Sequence, residues 1–435
     1  MGAKGAGLST GQAASLTMGR HMADAATIDR YAVTISGASF AGLALACGLE
    51  RALGPELRIA LVDRSVGPGT AKRDSRASAL SAGSKRMLEA LGVWAVLAGE
   101  AQPVAGIEIT DSSLEAGVRP VLLNYDNVTD AHDPATYIVP NAALYDALYA
   151  AAKRAPSIEW GVPGEARDFA ASETGVRVRL ADGREIDASL LVAAEGRDSR
   201  LREAAGIGVV GWSYPQIGIV TTVRHERPHA ARAVQHFLPA GPFAILPLKG
   251  NRSCITWTED EANGARIMAL DDAGFLAEVE RRFGGKFGAI ALDGPRQSWP
   301  LKTHLARRYV GDRFALIGDA AHGVHPLAGQ GLNLAFRDVA ALVEVIADAV
   351  RLGFEPGSAQ ALARYERWRR FDSAVLAAAF DGLNRLFSGD ATLVRSVREL
   401  GLELVDRTPL LKRFFVGEAA GLTGELPRLM KGESV

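Results

Sequence analysis

A glycine-rich turn between a strand and a helix is the feature that most constrains the fold of this chain. The apolar run Tyr31–Ser36 predicts a buried strand, and Gly37-Ala-Ser-Phe-Ala-Gly42 follows it directly. A helical pattern continues to Leu53, and Leu57–Asp63 predicts a second strand after the Gly54-Pro55 break. Two strands joined by one helix make a βαβ unit, which requires parallel strands and a right-handed crossover. The sequence therefore predicts an α/β fold built on a parallel sheet.

The same turn has the features of a dinucleotide site. Gly37 permits a tight turn and Gly42 permits close packing of helix on strand, while Ala38 and Ser39 lie between them. Ser39 stands where a glycine is usual, and its hydroxyl can bond a phosphate oxygen. Asp63 ends the second strand about 20 residues further on, as expected of a carboxylate that binds a ribose hydroxyl. The alternative is a helix capped by Ser39 beside a solvated Asp63.

A literal G-x-G-x-x-G motif occurs elsewhere, at Gly206–Gly211. It runs into Trp212-Ser-Tyr-Pro215, so no helix is expected to begin there. Without a helix N-terminus these glycines offer no dipole and no cluster of free N–H groups to a pyrophosphate. We therefore expect no nucleotide at this second motif.

Composition excludes several classes of protein. Of the 435 residues 48% are apolar and 23% are charged, with a formal net charge of -1, which argues against a general nucleic-acid binder. The two cysteines, Cys47 and Cys254, exclude a disulfide scaffold and a zinc ribbon and fit a reducing compartment. No apolar run approaches the roughly 18 residues of a membrane span. We expect a cytoplasmic protein without nucleic-acid partners, with peripheral contact to the inner membrane as an open alternative.

Residues 1–28 differ in composition from the rest. They are rich in glycine, alanine, serine and threonine and contain no continuous apolar stretch of the kind that a secretory signal needs. They are expected to form a flexible leader. His21-Met22 is consistent with a cloning scar before a natural start at Met22, and a natural extension is the alternative.

A second glycine-rich segment, Arg313–Asp338, carries the most specific chemistry. It predicts a strand that ends at Gly318-Asp319, a loop containing Gly329-Gln330-Gly331, and a helix from about Leu332. Asp319 can accept hydrogen bonds from sugar hydroxyls, and the glycine loop lets backbone N–H groups approach a flat ring. The new helix N-terminus favours negative charge on that ring.

His322 and His325 have the H-x-x-H spacing of some zinc sites. No third histidine or cysteine cluster accompanies them and Pro326 follows at once, so no metal is expected. His322 is predicted to be a buried structural residue, and His325 to be the one that lines a pocket.

The stretch G-D-A-A-H-x-x-H-P-x-A-G-Q-G-L-N-x-x-x-R-D, from Gly318 to Asp338, closely resembles the Gly-Asp motif of the class A flavoprotein monooxygenases. Among these it is most similar to the ubiquinone-biosynthesis hydroxylases. Further landmarks agree, and the resemblance extends from about Tyr31 to the C-terminal helices. These landmarks are Arg76–Leu80, Leu91–Trp94, Leu191–Ser199 and Gly241–Leu248.

The resemblance implies an α/β fold (α+β overall), with a glutathione-reductase-type FAD-binding Rossmann domain interrupted by a sheet-rich substrate domain and followed by a helical C-terminal region. The expected boundaries are residues 29–110, 150–210 and 301–352 for the discontinuous FAD-binding domain, 111–149 and 211–300 for the substrate domain, and 353–435 for the C-terminal region.

It also implies a cofactor and a reaction. NADH or NADPH would reduce the bound FAD, O2 would react with the reduced flavin, and one oxygen atom would be transferred to an activated aromatic ring. In the most similar branch the substrate is a polyprenylated phenol intermediate of ubiquinone biosynthesis. Two alternatives stay open: hydroxylation of a small soluble aromatic, and a non-catalytic FAD-binding subunit of a quinone-biosynthesis complex.

Residue roles carry over motif by motif. The first motif would hold the pyrophosphate and the adenosine ribose, and the second would hold the ribityl chain and the isoalloxazine ring. The resemblance assigns no catalytic side chain, and His325 is our own candidate for removing the phenol proton. The implied FAD-binding residues are Gly37, Ala38, Ser39, Gly42, Asp63, Arg64, Arg76, Glu195, Gly196, Gly318, Asp319, Pro326, Gly329, Gln330, Gly331, Leu332 and Asn333.

Three positions depart from the family pattern. Ser39 replaces a glycine, and Glu195-Gly196 replaces an Asp-Gly motif that is tied to FAD and nicotinamide binding. Asn141 stands where many relatives carry an arginine that faces the flavin phosphates. Glu195 keeps the charge but is longer by one methylene, so affinity for the nicotinamide donor is the property that this change puts in question.

Residues 374–416 alternate apolar clusters with arginine and lysine. An amphipathic surface of this kind suits a bilayer or a partner in a biosynthetic complex, as a polyprenylated substrate requires. The alternative is that these helices cover the other two domains.

Overall fold

A computed structural model of the chain describes residues 30–64, 74–111, 114, 121–129, 131–325, 329–387, 417 and 420–435. Within these residues, two large sheets and one small sheet carry the fold. In the first half the strands are β1 (Arg30–Ser36), β2 (Ile59–Asp63), β3 (Ala77–Ser81), β4 (Gln102–Pro103), β5 (Gly106–Asp111), β6 (Val121–Asp126), β7 (Thr136–Pro140), β8 (Ile158–Pro163), β9 (Ala166–Ala171), β10 (Val176–Leu180) and β11 (Glu185–Ala193). The helices there are α1 (Phe40–Leu53), α2 (Ala82–Ala90), α3 (Trp94–Leu97), α4 (Asn141–Arg154) and α5 (Arg200–Ala204).

The second half of the chain contains the longer strands and helices. Its strands are β12 (Val209–His225), β13 (Arg232–Leu238), β14 (Gly241–Leu248), β15 (Arg252–Asp260), β16 (Ile290–Leu292), β17 (Gln297–Ala306), β18 (Val310–Gly311), β19 (Phe314–Leu316) and β20 (His322–Gly323). Its helices are α6 (Glu261–Met268), α7 (Asp272–Phe283), α8 (Gly331–Arg351), α9 (Ala359–Phe387) and α10 (Arg428–Lys431).

The larger part of the core surrounds a parallel sheet. Its strands lie in the order β18-β19-β11-β1-β2-β8, and β19, β11, β1, β2 and β8 run parallel. Strands β10 and β9 extend β11 as an antiparallel hairpin. β1 and β11 are buried along most of their length, as the near-continuous apolar sequence of a covered parallel sheet requires. The predicted α/β fold with a parallel sheet is confirmed.

The second large sheet is mainly antiparallel. Its strands lie in the order β20-β17-β12-β15-β14-β13-β5-β6, with β16 beside β12, and only the pair β13–β5 is parallel within the described residues. One face packs on α6 and α7 through a cluster that includes Phe243, Trp257, Phe275 and Phe283. The opposite face is turned towards the parallel sheet, and it forms one wall of the candidate site.

The chain passes between the two large sheets several times. A three-stranded sheet, in the order β3-β7-β4, lies along this path. β5 and β6 belong to the antiparallel sheet, whereas α4, which follows them in the chain, packs against α1. The exact domain boundaries stay a prediction.

The described part of the C-terminal region covers the parallel-sheet side of the molecule. The hydroxyl of Tyr365 on α9 donates to the Leu316 carbonyl oxygen at 2.7 Å, and α10 packs on α2 and α8. Residues 388–416, which include most of the predicted amphipathic tail, lie outside the described residues. None of the described helices is long and apolar enough to cross a membrane.

Candidate active site

Two glycines shape the turn between β1 and α1. Gly37 has a φ of +110°, and a Cβ there would lie 2.3 Å from the carbonyl oxygen of Ala194. A Cβ on Gly42 would lie 1.8 Å from the carbonyl oxygen of Gly37. Such distances exclude a side chain at either position, so the first turn of α1 lies directly against the ends of β1 and β11.

Asp63 closes the same turn from the end of β2. Its Oδ2 accepts a hydrogen bond from the backbone N–H of Ala38 at 2.7 Å, and the residue lines a cavity together with Ser39. The next residue, Arg64, lies 3.8 Å from Glu165 in an ion pair and is 73% exposed. The structure therefore brings Asp63 to the turn and places Arg64 on the surface.

The N-terminus of α1 is open to a ligand. Ser39 is the N-cap residue, but its side chain caps no backbone N–H, and the first turn contains no acidic residue. Ser39, Phe40 and Ala41 line the cavity. The partial positive charge and the N–H groups of this helix end are thus available to a phosphate, and Ser39 does not cap the helix as the alternative required.

Arg76 lies at the edge of the cavity in a fixed orientation. Its Nε and Nη2 donate to the two carboxylate oxygens of Asp74 at 2.8 and 2.7 Å, and its guanidinium carbon lies 5.4 Å from the ring centre of Trp299. These bonds to Asp74 raise the pKa of Arg76. Asp74 also accepts from the amide of Asn141 at 3.1 Å. Where relatives carry an arginine, Asn141 therefore supports the carboxylate that orients Arg76.

Glu195 borders the cavity, but its carboxylate is directed into the protein. One oxygen accepts from the hydroxyl of Ser36 at 2.7 Å. The other accepts from the hydroxyl of Ser199 at 2.7 Å and from the backbone N–H of Leu201 at 3.2 Å. Gly196 follows with a φ of +87° and lines the cavity. Glu195 thus ties the end of β1 to the start of α5.

Asp319 presents its side chain to the cavity just beyond β19. It lies in a single 3-10 turn, Gly318–Ala320, and both Gly318 and Asp319 line the cavity. Its backbone carbonyl oxygen is 2.9 Å from Nε2 of His304, which holds the turn to β17. A carboxylate in this position can accept hydrogen bonds from the hydroxyls of a bound ligand.

A buried cluster of charged groups lies beneath this turn. Oδ2 of Asp338 accepts from the backbone N–H of Gly318 at 3.0 Å and lies 2.5 Å from Nε2 of His322, while Oδ1 accepts from Nε of Arg369 at 2.9 Å. Burial by itself raises the pKa of Asp338, but His322 and Arg369 together hold it below its ordinary value. His322 is thus a buried structural residue, and the cluster fixes the Gly-Asp turn from below.

A second helix N-terminus opens on the cavity at α8. Its N-cap residue, Gln330, makes no side-chain cap, and its first turn contains no acidic residue. Gly329 has a φ of +62° and lines the cavity with Gln330, Gly331 and Leu332. The predicted glycine loop is therefore placed at the cavity with its backbone accessible.

Two other predicted residues, Asn333 and His325, are placed differently. Asn333 is buried, and its amide donates to the carbonyl oxygen of Ala79 at 2.8 Å, which holds β3 to α8. His325 is 1% exposed, and its ring centre lies 5.0 Å from that of Tyr214 in an edge-on contact. Burial lowers the pKa of His325 to about 4, and neither ring nitrogen has a hydrogen-bond partner in the described part of the chain. Pro326 lies outside the described residues.

The second glycine motif contributes to a strand. Val209 begins β12, which pairs with β17, and a Cβ on Gly211 would lie 2.3 Å from the carbonyl oxygen of Thr303. These glycines therefore permit close approach of two strands. Among the described residues, no group of three or more His, Cys, Asp or Glu side chains is arranged to hold a metal ion.

The turns described above and the antiparallel sheet enclose a common cavity of about 790 Å³, which is within the usual size range of ligand pockets. One side is polar and consists of the α1 turn, Arg76, Asp319 and the start of α8. The other side is largely apolar. Its sheet wall is formed by Ile107, Ile109, Leu123, Tyr125, Val220, Ala233, Gln235, Phe237, Ala244, Leu246 and Thr256.

This apolar wall is not predicted from the sequence. The signal for it is the alternation of residues along β14 and β15, where Ala244, Leu246 and Thr256 are partly exposed between fully buried neighbours. Alternation shows that a strand has two different faces, but it does not show which face meets a cavity.

The polar side of the cavity fits FAD. A dinucleotide flavin needs anion sites for its pyrophosphate and acceptors for its sugar hydroxyls. The anion sites are supplied by two uncapped helix ends. The acceptors for sugar hydroxyls are the carboxylates of Asp63 and Asp319. The glycines at 37 and 42 leave room that a Cβ would fill.

Comparisons with known proteins agree with this geometry. Residues 30–378 match the family described as FAD binding domain. The chain is 42% identical over 405 residues to the ubiquinone hydroxylase UbiL of Rhodospirillum rubrum, covering 92% of each protein. It is 32% identical to the 3-demethoxyubiquinol 3-hydroxylase of Escherichia coli, covering 90% of this chain and 98% of the relative.

A solved structure shows the same fold. The p-nitrophenol 4-monooxygenase PnpA of Pseudomonas putida superposes with a TM-score of 0.76, covering 92% of this chain and all of that one, at 16% identity.

Proposed function

Since the chain belongs to the FAD-binding family of flavoprotein monooxygenases, we propose that it is an FAD-dependent, NAD(P)H- and O2-using hydroxylase that acts on a polyprenylated phenol intermediate of ubiquinone biosynthesis. The names of its relatives in Rhodospirillum rubrum and Escherichia coli support this pathway. The high identity to the first of them, over nearly the whole of both chains, supports a ring hydroxylation rather than flavin binding alone.

The observation that carries the proposal is the junction of two unlike surfaces in one cavity. The polar groove fits a dinucleotide, and the apolar wall continues directly from it. A small soluble aromatic would leave most of this wall in contact with water. A prenyl chain would cover it, and burial of apolar surface contributes about 25 cal/mol per Å² to binding.

The proposed roles of the chain's own residues follow from their positions. Gly37 and Gly42 would admit the pyrophosphate to the end of α1, Asp63 and Asp319 would bind sugar hydroxyls, and residues 329–332 would lie against the flavin ring. Bound FAD would supply the redox chemistry and the activation of O2. The protein positions the substrate, and the apolar wall excludes water from the reacting atoms.

The role of His325 in removing the phenol proton stays a prediction. Its imidazole is buried beside Tyr214, and its pKa of about 4 keeps it neutral at physiological pH. A neutral imidazole can accept a proton, but this one is a weak base. Proton removal by water at the polar groove is the alternative.

The direct test is turnover by the purified holoenzyme. We expect NAD(P)H oxidation coupled to hydroxylation of a prenylated phenol, with much lower efficiency on the same phenol without its prenyl chain. Equal efficiency on the two would favour the small-aromatic alternative. FAD binding without turnover of either would favour the non-catalytic subunit. Accumulation of one quinone precursor in a deletion strain would identify the substrate.

We also propose that the enzyme meets its substrate at an anionic membrane surface, through α9 and the start of β12. Phe371 is 74% exposed and Val375 is 50% exposed on one face of α9, with Arg367 and Arg370 exposed beside them. Trp212 of β12 is 40% exposed, and its indole N–H donates to Asp381 of α9 at 3.2 Å. Exposed apolar residues beside arginines are the pattern of an interfacial surface.

Vesicle flotation tests this contact. We expect the protein to float with vesicles that contain phosphatidylglycerol and less with vesicles of phosphatidylcholine alone. Phe371→Ser with Val375→Ser should reduce flotation several-fold, whereas Leu352→Ser, at a residue that is 75% exposed elsewhere, should not. Equal flotation of all three proteins would exclude this surface.

A further inference from the structure

Three polar side chains, those of Gln235, Tyr125 and Thr256, interrupt the apolar wall of the cavity. On the antiparallel sheet, Gln235 of β13 is aligned with Ile109 of β5 on one side and with Ala244 of β14 on the other. Ala244 is in turn aligned with Thr256 of β15. All four residues line the cavity, and in this row only Gln235 carries an amide.

The amide of Gln235 has no partner in the described part of the protein. Its side chain is partly exposed because it faces the cavity, and it forms no hydrogen bond to any described residue. If a ligand covered this amide without bonding to it, the lost hydrogen bond to water would cost roughly 1–3 kcal/mol. The group is therefore positioned to bond either water or a ligand that displaces it.

Tyr125 is the second such group. It lies on β6 opposite Ile107 of β5 and lines the same cavity. Its hydroxyl likewise has no hydrogen-bond partner among the residues that the structure describes. Burial raises the pKa of Tyr125 to about 12, so the hydroxyl is protonated at physiological pH and available as a donor.

The surroundings of both groups are apolar. Between and beside them lie Ile107, Ile109, Leu123 and Ala233. Strand β5 separates β6 from β13, and Gln235 is aligned two residues further along β5 than Tyr125. With a strand spacing of about 4.8 Å and a rise of about 3.3 Å per residue, the two residues are about 12 Å apart on the sheet. Two side chains of this length can converge on a single six-membered ring from opposite ends.

We infer that the amide of Gln235 and the hydroxyl of Tyr125 hydrogen-bond to oxygen substituents of the substrate's aromatic ring, and thereby fix which ring carbon faces the flavin. This inference rests on the proposed function, since it places the ring of that substrate. Neither group is a base at neutral pH. They are specificity-determining residues, and the apolar wall holds the remainder of the molecule.

The test compares two probes on the FAD-loaded enzyme. One is geranylphenol, and the other is geranylbenzene, which lacks only the ring hydroxyl. The dissociation constant of each is measured from the change in flavin absorbance. One neutral hydrogen bond is worth roughly 1 kcal/mol, so we expect the wild type to bind the phenol about 5- to 10-fold more tightly.

The variants should remove this preference and little else. Geranylphenol carries one ring oxygen, so the variant at the residue that bonds it, Tyr125→Phe or Gln235→Leu, is expected to reduce the ratio of the two dissociation constants by roughly 3- to 10-fold. The affinity of both variants for geranylbenzene should be nearly unchanged. Gln102→Leu is the matched control, because Gln102 bonds to the adjacent Pro103 carbonyl oxygen at 2.9 Å and is not among the described cavity residues. Product analysis should also show more NAD(P)H consumed per hydroxylated ring in the two cavity variants.

The outcomes separate the inference from the proposed function. If the wild-type ratio persists in both cavity variants, the inference is wrong, even if prenylated phenols are hydroxylated. If the ratio of dissociation constants falls as expected but no prenylated phenol is hydroxylated, the proposed function is wrong. The hydrogen bonds of Gln235 and Tyr125 to the ring are then still supported. Should Gln235→Leu fail to give holoprotein, Gln235→Met provides the same loss of the amide, and Tyr125→Phe removes a single atom.

Discussion

The hydroxyl of Ser36 donates to the carboxylate of Glu195 at 2.7 Å, so the last residue of β1 is tied to the loop that follows β11. The same carboxylate accepts from Ser199 and from the backbone of Leu201 at the start of α5. All the contacts that its oxygens make here are internal. The longer side chain of Glu195 is therefore used in packing at the end of β1, and its effect on nicotinamide binding stays a prediction.

Glu195→Asp should destabilise the fold without weakening NAD(P)H binding. The shorter side chain cannot reach Ser36 and Ser199 together, and the loss of one or two hydrogen bonds to a charged group should cost about 1–3 kcal/mol. Urea unfolding measures the change in stability, and the KM for NADH and NADPH measures donor binding. Glu203→Asp, on the exposed side of α5, is the control. A tenfold rise in KM with unchanged stability would show that Glu195 faces the donor.

Gly42→Ala should prevent correct packing of α1. The added Cβ would lie 1.8 Å from the Gly37 carbonyl oxygen, and because the obstacle is backbone the turn itself has to move. We expect a loss of more than about 3 kcal/mol and poor recovery of FAD-loaded protein. Gly99→Ala, where a Cβ would meet nothing within 4 Å, should be nearly neutral. A normal melting temperature for Gly42→Ala would contradict the observed turn.

Asp338→Asn should expose a pH-dependent contribution to stability. The folded pKa of Asp338 lies below the ordinary value of about 3.9 because of His322 and Arg369. The contribution of ionised Asp338 to the free energy of unfolding is therefore complete above the ordinary pKa, and it is lost as pH falls through the folded pKa. At pH 7 the substitution should cost about 3–5 kcal/mol, and the difference from wild type should shrink below about pH 4.

Urea unfolding of both proteins from pH 7 down to pH 3.5 measures this change. Asp372→Asn is the control. Asp372 also pairs with Arg369, but the side chain of Asp372 is 38% exposed, so its loss should cost no more than about 1 kcal/mol. A cost for Asp338→Asn that does not depend on pH would mean that the carboxylate is not the form that stabilises the fold.

His325→Leu should make stability less dependent on pH between about 4 and 6.5. The buried imidazole of His325 has a pKa of about 4, below the usual value of about 6.5. As pH falls through this interval the unfolded chain takes up a proton that the folded chain does not, so the wild type loses up to about 3 kcal/mol. The variant should not lose this amount. His132→Asn removes an exposed imidazole and should behave as wild type.

His325→Leu also tests whether His325 is the base that removes the phenol proton. Since His325 does not titrate between pH 6 and 9, its replacement should leave the shape of the pH–rate profile in that range unchanged. Loss of activity with an altered acidic limb would instead assign the phenol proton to His325.

The βαβ turn could be predicted from the sequence because its causes are local. Gly37, Gly42 and Asp63 are each required by the backbone within one strand–helix–strand unit, so their spacing alone indicates the structure. The same holds for Gly318-Asp319 and the glycine loop before α8. What the spacing did not show is that Asp63 also accepts from the Ala38 N–H and thus helps to hold the turn.

Residues whose partners are distant in the chain were harder to place. Asn333 follows the glycine loop at the start of α8, yet it bonds to Ala79, 254 residues away. Two short helices, α2 and α3, are separated at Gly92, which has a φ of +71°. The wall that contains Tyr125 and Gln235 depends on the parallel pairing of β5 with β13, and no local pattern specifies that pairing.

Two uncapped helix ends, those of α1 and α8, are directed into the same cavity. A bound pyrophosphate would place negative charge at these partly positive helix ends and so stabilise the folded protein. Folding is thereby linked to the supply of FAD through mass action. A shortage of FAD should therefore lower the apparent stability of the folded protein and raise the fraction open to proteolysis.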